Sequence, residues 1–112
     1  MVIYNKGLGT DNSTDAGKEI FSLTSKAEEK YKVRRVIITD VFTNSLLMEL
    51  WIERDRIGES IPLQQIGNAT PERIIDVDAE IPVGYTFSIR IKPLNSGNQG
   101  SVRGWVEYEI IE

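Results

Sequence analysis

The stretch Tyr85-Thr86-Phe87-Ser88-Ile89-Arg90-Ile91-Lys92 decides the fold class, because large apolar residues fill its odd positions and polar residues its even ones. This period of two is typical of a β-strand with one buried face. The alternation returns over 102–110, after the turn-forming residues 95–100. We therefore expect 85–92 and 102–110 to form a β-hairpin, with its apolar face covered by a second sheet.

Working back from this stretch, 46–54 alternates in the same way, whereas 36–42 carries apolar residues at both parities. The second pattern indicates a central strand or one whose outer face is covered. Turn signals separate about eight such runs, and no three-turn helix is indicated. We expect an all-β fold, an antiparallel β-sandwich of about eight strands that is jelly-roll-like. Residues 1–17 are predicted to be an N-terminal arm and polar loop, and 18–112 the sandwich domain.

Composition excludes several classes of function. The 112 residues have the length of one domain, and they include no cysteine and no histidine. Ser-His-Asp and Cys-His catalysis and the usual zinc sites therefore cannot form, and we expect no catalytic, metal or cofactor site. A net charge of −4 argues against a nucleic-acid partner. No apolar run approaches the ~20 residues of a spanning helix, and no signal peptide is apparent, so we expect synthesis in the cytoplasm and no membrane partner.

Both tryptophans lie on the polar parity of their strands, Trp51 between two glutamates and Trp105 between Arg103 and a glutamate. A large aromatic side chain outside the core indicates a protein interface or a sugar-stacking platform, unless another part of the chain covers it. Leu47 shares the outward parity, which favours a protein partner. The predicted interface residues are Val2, Ile3, Tyr4, Leu47, Trp51, Arg103 and Trp105.

Two pairs of glutamates raise the possibility of an enzyme, since jelly-roll glycosidases work with two carboxylic acids. The pairs are Glu49 with Glu53 and Glu107 with Glu109, each on one strand face. Side chains on an outward face normally stand in water, where two carboxyl groups do not divide into an acid and a nucleophile. We therefore expect the protein not to be an enzyme.

Five segments carry a family resemblance, namely 36–44, 46–52, 61–63, 79–90 and 100–110. Laid out in this order they resemble the small β-sandwich virion proteins of tailed phages, which include head decoration and tail accessory proteins. The resemblance implies a structural protein of the virion without an active site. It also implies binding to itself, as a homotrimer, and to a capsid or tail subunit. The alternative is a carbohydrate-binding module whose exposed tryptophans stack on sugar rings.

Overall fold

A computed structural model describes residues 3–9, 12–42, 44–63, 73–95, 97 and 99–111. This part of the chain is all-β and contains no helix, as predicted. Its strands are β1 (Ile3–Gly7), β2 (Lys18–Thr24), β3 (Tyr31–Phe42), β4 (Leu46–Ile52), β5 (Asp55–Arg56), β6 (Ile61–Leu63), β7 (Arg73–Glu80), β8 (Thr86–Pro93) and β9 (Ser101–Ile110).

The strands form two antiparallel sheets. The four-stranded sheet has the order β1-β9-β3-β7. The five-stranded sheet has the order β2-β8-β4-β5, and β6 pairs with β4 as well. The sheets pack face to face around one cluster of buried side chains that both supply. The predicted antiparallel β-sandwich is therefore confirmed.

The predicted hairpin of 85–92 with 102–110 is wrong. Strand β8 lies between β2 and β4, whereas β9 lies between β1 and β3 in the other sheet. The chain changes sheets between the two strands, and backbone bonds fix both ends of this crossing: Leu94 donates to Ser45 and Gly100 accepts from Ser13. Alternation shows that a strand has one buried face, but it does not show which strand lies beside it.

The predicted N-terminal segment 1–17 contributes β1 to the four-stranded sheet. Strand β1 pairs with β9 from Ile3 opposite Glu109 to Gly7 opposite Trp105. The backbone N–H of Leu8 continues this pairing with a bond of 3.0 Å to the carbonyl of Gly104. Residues 3–8 therefore lie along β9 and form an edge of the four-stranded sheet.

The core combines the inward side chains of both sheets. Phe87, Ile89 and Ile91 of β8 are completely buried, as their odd positions predict, while Tyr85 precedes the strand and is 47% exposed. Full burial of one such side chain stabilises the fold by roughly 1.5–3 kcal/mol. The other fully or almost fully buried apolar residues are Val33, Val36, Ile38, Val41, Leu46, Met48, Leu63, Ile81, Val102 and Val106.

Two register shifts are one reason why β3 carries apolar residues at both parities; the other is Ile37, which lies outside the core cluster although it is buried. Its pairing with β9 shifts between Val33 and Arg35, and again between Ile38 and Asp40. An extra residue in one strand reverses the parity that faces the core beyond it. Val36 and Val41 can therefore both point inward, although one position is even and the other odd.

Gly104 lies where the backbones of β9 and β3 come close together, so its replacement tests this packing. A Cβ at Gly104 would collide with the backbone carbonyl of Ile37, whereas a Cβ at Gly7 meets nothing within 4 Å. We expect Gly104→Ala to lower the free energy of unfolding by about 3 kcal/mol. Gly7→Ala should change it by less than about 0.5 kcal/mol. Urea unfolding followed by circular dichroism measures both, and equal stabilities would contradict the close approach.

Candidate functional site

The residues predicted to form an interface lie on more than one surface. Met48 and Leu50 point into the core. Leu47 and Trp51 have the opposite parity on the same strand and therefore face outward from the five-stranded sheet. Three others lie on the outer face of the four-stranded sheet: Ile3, Arg103 and Trp105. Tyr4 has the opposite parity to Ile3, and Val2 lies outside the described residues. The prediction therefore combined two opposite faces of the sandwich.

The outer face of the four-stranded sheet carries an apolar stripe formed by Trp105, Ile37 and Ile74. Their positions are opposite one another on β9, β3 and β7. Ile37 is only 6% exposed although it does not belong to the core cluster, which shows that its neighbours on the outer face cover it. Ile74 is 49% exposed. The stripe thus runs from a covered centre to an open end.

A charged row lies directly beside the apolar stripe, with Glu107 opposite Arg35 and Arg35 opposite Asp76. Arg35 donates from Nε and Nη2 to the two carboxylate oxygens of Glu107, at 3.1 and 3.0 Å. These hydrogen bonds, and then the negative charge of Glu107, raise the pKa of Arg35. The paired geometry orients both side chains along the sheet surface.

The register shift in β3 adds a second arginine to this row. Arg34, the extra residue, reaches the same side of the sheet as Arg35, and its Nη1 lies 3.3 Å from a carboxylate oxygen of Glu109. Its Nε lies 3.9 Å from Glu107. Glu107 and Glu109, considered above as a catalytic pair, are therefore each bound by arginine.

The outer face of the five-stranded sheet is organised around Glu49. This side chain is only 4% exposed, although its parity predicts a side chain in water. Its Oε2 accepts hydrogen bonds from Arg56 and Ser60, both at 3.3 Å, and lies 3.6 Å from the ammonium of Lys92. These partners come from later parts of the chain, so the pattern within β4 could not show them. Oε1 is also buried and has no partner within the described residues.

Trp51 is partly covered by its own chain. The guanidinium carbon of Arg90, on the neighbouring strand β8, lies 4.9 Å from the centre of the indole ring. Such a cation over an aromatic face is attracted by the ring's electron density. The indole Nε1 is buried and unbonded within the part of the chain described. Cover by the same chain was one of the possibilities that the sequence left open, and it applies to one face of Trp51.

Tyr4 belongs to an aromatic group at the β1 edge of the sandwich. Its ring stacks on Tyr108 with centres 5.7 Å apart, and Tyr31 meets Tyr108 edge-on at 5.3 Å. The hydroxyl of Tyr31 donates to Glu29 at 2.5 Å; this bond, together with burial, raises the pKa of Tyr31 to about 12. Tyr4 remains 40% exposed, so the group ends in an accessible ring.

Comparison with known proteins gives no family: no protein-family model matches the chain, and a search of curated proteins found no match either. Within the described ranges, no three or more acidic side chains come together in a way that could hold a metal ion. The same residues include no helix that is long and apolar enough to span a membrane.

The buried carboxylate of Glu49 can be tested by removing its charge. We expect Glu49→Gln to lower the free energy of unfolding by about 1–3 kcal/mol, because two cations lose their partner and the amide is a poorer acceptor. The control Glu59→Gln removes the same charge from an exposed residue and should change stability by less than about 0.5 kcal/mol. Urea unfolding measures both; indistinguishable values would refute a stabilising role for the Glu49 cluster.

The hydrogen bond between Tyr31 and Glu29 predicts a dependence on alkaline pH. The pKa of Tyr31 rises from an unfolded value near 10 to about 12, so the folded state holds this proton more tightly. The stabilisation is complete below pH ~10 and is lost as the pH rises to about 12. Between these pH values, the free energy of unfolding of Tyr31→Phe should fall by about 1–2 kcal/mol less than that of the wild type. Thermal unfolding at several pH values measures this, with the exposed Tyr85→Phe as control; identical profiles for Tyr31→Phe and wild type would disprove the linkage.

Proposed function

We propose that this protein is a non-enzymatic structural subunit of a larger assembly, specifically a virion protein of the capsid-decoration or tail-accessory kind. It binds its own copies and another structural protein, such as a capsid or tail subunit. The observation that carries the proposal is the outer face of the four-stranded sheet, where the apolar stripe lies beside a row of paired charges. An apolar centre with a polar border is the usual arrangement of a protein interface.

The order of strand pairing supports a jelly roll, the fold expected from the resemblance. The first strand pairs with the last, β2 with β8, β3 with β7, and β4 with the neighbouring β5 and β6, always antiparallel. Nested pairs of this kind arise when one long hairpin is rolled into two sheets. Counting β5 and β6 as one interrupted strand gives eight strands. Jelly rolls are common in viral capsid proteins and in lectins, so the choice between the two functions rests on the surfaces.

The surfaces favour a protein partner over a sugar. Stacking on a sugar requires an open aromatic face, and Arg90 occupies one face of Trp51. Trp105 lies in register with Ile37, which in turn is opposite Ile74. Aliphatic neighbours of this kind suit an apolar protein surface better than a hydroxyl-rich ligand. Carbohydrate binding is therefore the less supported alternative.

The state of the glutamates supports a non-enzymatic role. A glycosidase needs one carboxyl group that donates a proton and another that attacks or activates water, both within reach of the substrate. Glu49 is buried beneath cations, and Glu107 is held by both oxygens in its pairing with Arg35. Neither carboxylate is presented to a substrate in this arrangement.

Particle incorporation tests the proposed function. The chain is replaced by Ile74→Asp or by Val83→Asp in cells producing the virus, and the particles are purified on density gradients and analysed by quantitative mass spectrometry. The two native side chains are 49% and 51% exposed, so both variants should fold. We expect wild type and Val83→Asp in the particles at equal copy number, and Ile74→Asp reduced by about tenfold or more, since the charge would be buried on binding.

Two results would count against this proposal. Absence of the wild-type chain from the purified particles would overturn the virion role. Full incorporation of Ile74→Asp would show that the apolar stripe is not the binding surface. Circular dichroism of both purified variants confirms that a loss of incorporation is not a loss of folding.

A further inference from the structure

The two edge strands of the four-stranded sheet differ in how they are protected from further pairing. Strand β7 carries the acidic residues Asp76, Asp78 and Glu80, its register shifts against β3, and Asp78 has a positive φ of 51°. Bulges and charges of this kind discourage another strand from pairing with an edge. Strand β1 is exposed at all five positions and carries one charge, on Lys6. The β1 edge is therefore the more open to pairing.

The backbone of β1 has hydrogen-bonding groups directed away from the sheet. Successive residues of a strand direct their N–H and C=O groups to opposite sides. The N–H of Leu8 bonds to Gly104 of β9, so residues at even positions face β9. Ile3, Asn5 and Gly7 consequently direct theirs outward, and no strand in the described part of the chain pairs with β1 on that side.

We propose that a second copy of this chain pairs with this edge, β1 antiparallel to β1, around a twofold axis at Asn5. In this register Asn5 lies opposite Asn5 of the second copy, and Ile3 lies opposite its Gly7. Each of the three outward residues then exchanges both backbone hydrogen bonds, about six in total. The two four-stranded sheets become one continuous sheet across the axis.

The side chains on the outer face fit this register. Gly7 lies opposite Trp105 of β9, and a Cβ at Gly7 meets nothing within 4 Å, so the space above it is open. Ile3 of the second copy, 44% exposed in the single chain, enters this space beside Trp105. The apolar stripe is thereby extended across the axis. Apolar contact between directly opposed strand positions stabilises pairing.

The other face of β1 is equally compatible with pairing. Tyr4, 40% exposed, lies opposite Lys6 of the second copy. The ammonium of Lys6 donates to the carbonyl of Ser22 at 3.2 Å and lies 5.4 Å from the centre of the Phe21 ring in its own chain, so Tyr4 meets the aliphatic stem of Lys6 and not another cation. A register that placed Lys6 opposite itself would set two like charges against each other. At the axis the two Asn5 amides can each donate and accept one hydrogen bond. Charge and shape thus favour a second copy in this register over the one that places Lys6 opposite itself.

This inference deepens the proposed function and rests on it, because it names the contact between copies. It places a twofold contact where the resemblance implies a trimer. The inference is tested by crosslinking and by mass, whereas the virion role is tested by incorporation into particles. A monomer that still enters particles would refute the β1 contact alone, and a dimer that never enters particles would refute the virion role alone.

Crosslinking tests the register directly, because the natural chain has no cysteine. Opposed residues of a hydrogen-bonded pair have Cα atoms about 5.5 Å apart, which suits a disulfide. With oxidised glutathione, we expect Asn5→Cys to form disulfide-linked dimers. Ile3→Cys and Gly7→Cys should each stay uncrosslinked alone and should crosslink when mixed. Dimers of Ile3→Cys alone, at the rate of Asn5→Cys, would overturn the register.

The mass of the chain in solution provides a second, cysteine-free test. Sedimentation equilibrium of the wild type should show a reversible dimer. Asn5→Pro removes an outward N–H without removing a bond to β9, so it should be monomeric with an unchanged circular dichroism spectrum. Asn5→Ala keeps the N–H and should remain a dimer. A wild type that is monomeric or trimeric at every concentration, or an Asn5→Pro variant that dimerises as the wild type does, would overturn the proposal.

Discussion

The pairing of β3 with β9 is the contact on which the rest of the structure depends. It runs from Tyr31 opposite Ile110 to Phe42 opposite Ser101, and each remaining strand of that sheet attaches to one of these two. The close approach at Gly104 and two register shifts allow a long strand to keep apolar side chains on its inner face. Without these irregularities the parity of β3 would carry Val36 or Val41 out into water.

The same irregularity shapes the candidate site. The shift at Arg34 brings two consecutive arginines to one side of the sheet, where they meet glutamates of β9. Because these glutamates are bound within the molecule, the charged row is neutralised locally and its side chains are held in place. The apolar stripe beside it is exposed at its Ile74 end. On one side of this face the charged side chains are paired with each other, and on the other side the apolar side chain of Ile74 is exposed.

Alternation along the chain predicts the all-β class and most of the strands, because burial of one face is a local property of the sequence. It does not predict which strands are neighbours, so the prediction of a hairpin between β8 and β9 is wrong. The same limit applies to the site. Arg90 covers Trp51 and Lys92 approaches Glu49 across a strand boundary, between residues that lie far apart in sequence. The sequence predicts Ile37 only as part of a run whose outer face is covered. Its position beside Trp105 follows from the pairing register of β3 with β9, which the sequence does not show.

The two outer faces of the sandwich differ in how far charged side chains cover their apolar residues. On the five-stranded sheet, long cationic side chains lie over Trp51 and Glu49, so their aliphatic stems and charges cover the groups beneath. On the four-stranded sheet, the charged side chains pair with one another, while Ile74 and the five residues of β1 are exposed. An exposed apolar side chain and an unpaired strand edge each carry a cost in free energy in water, which a partner removes by covering them. We therefore propose that binding occurs on the four-stranded face, where Ile74 and the residues of β1 are exposed.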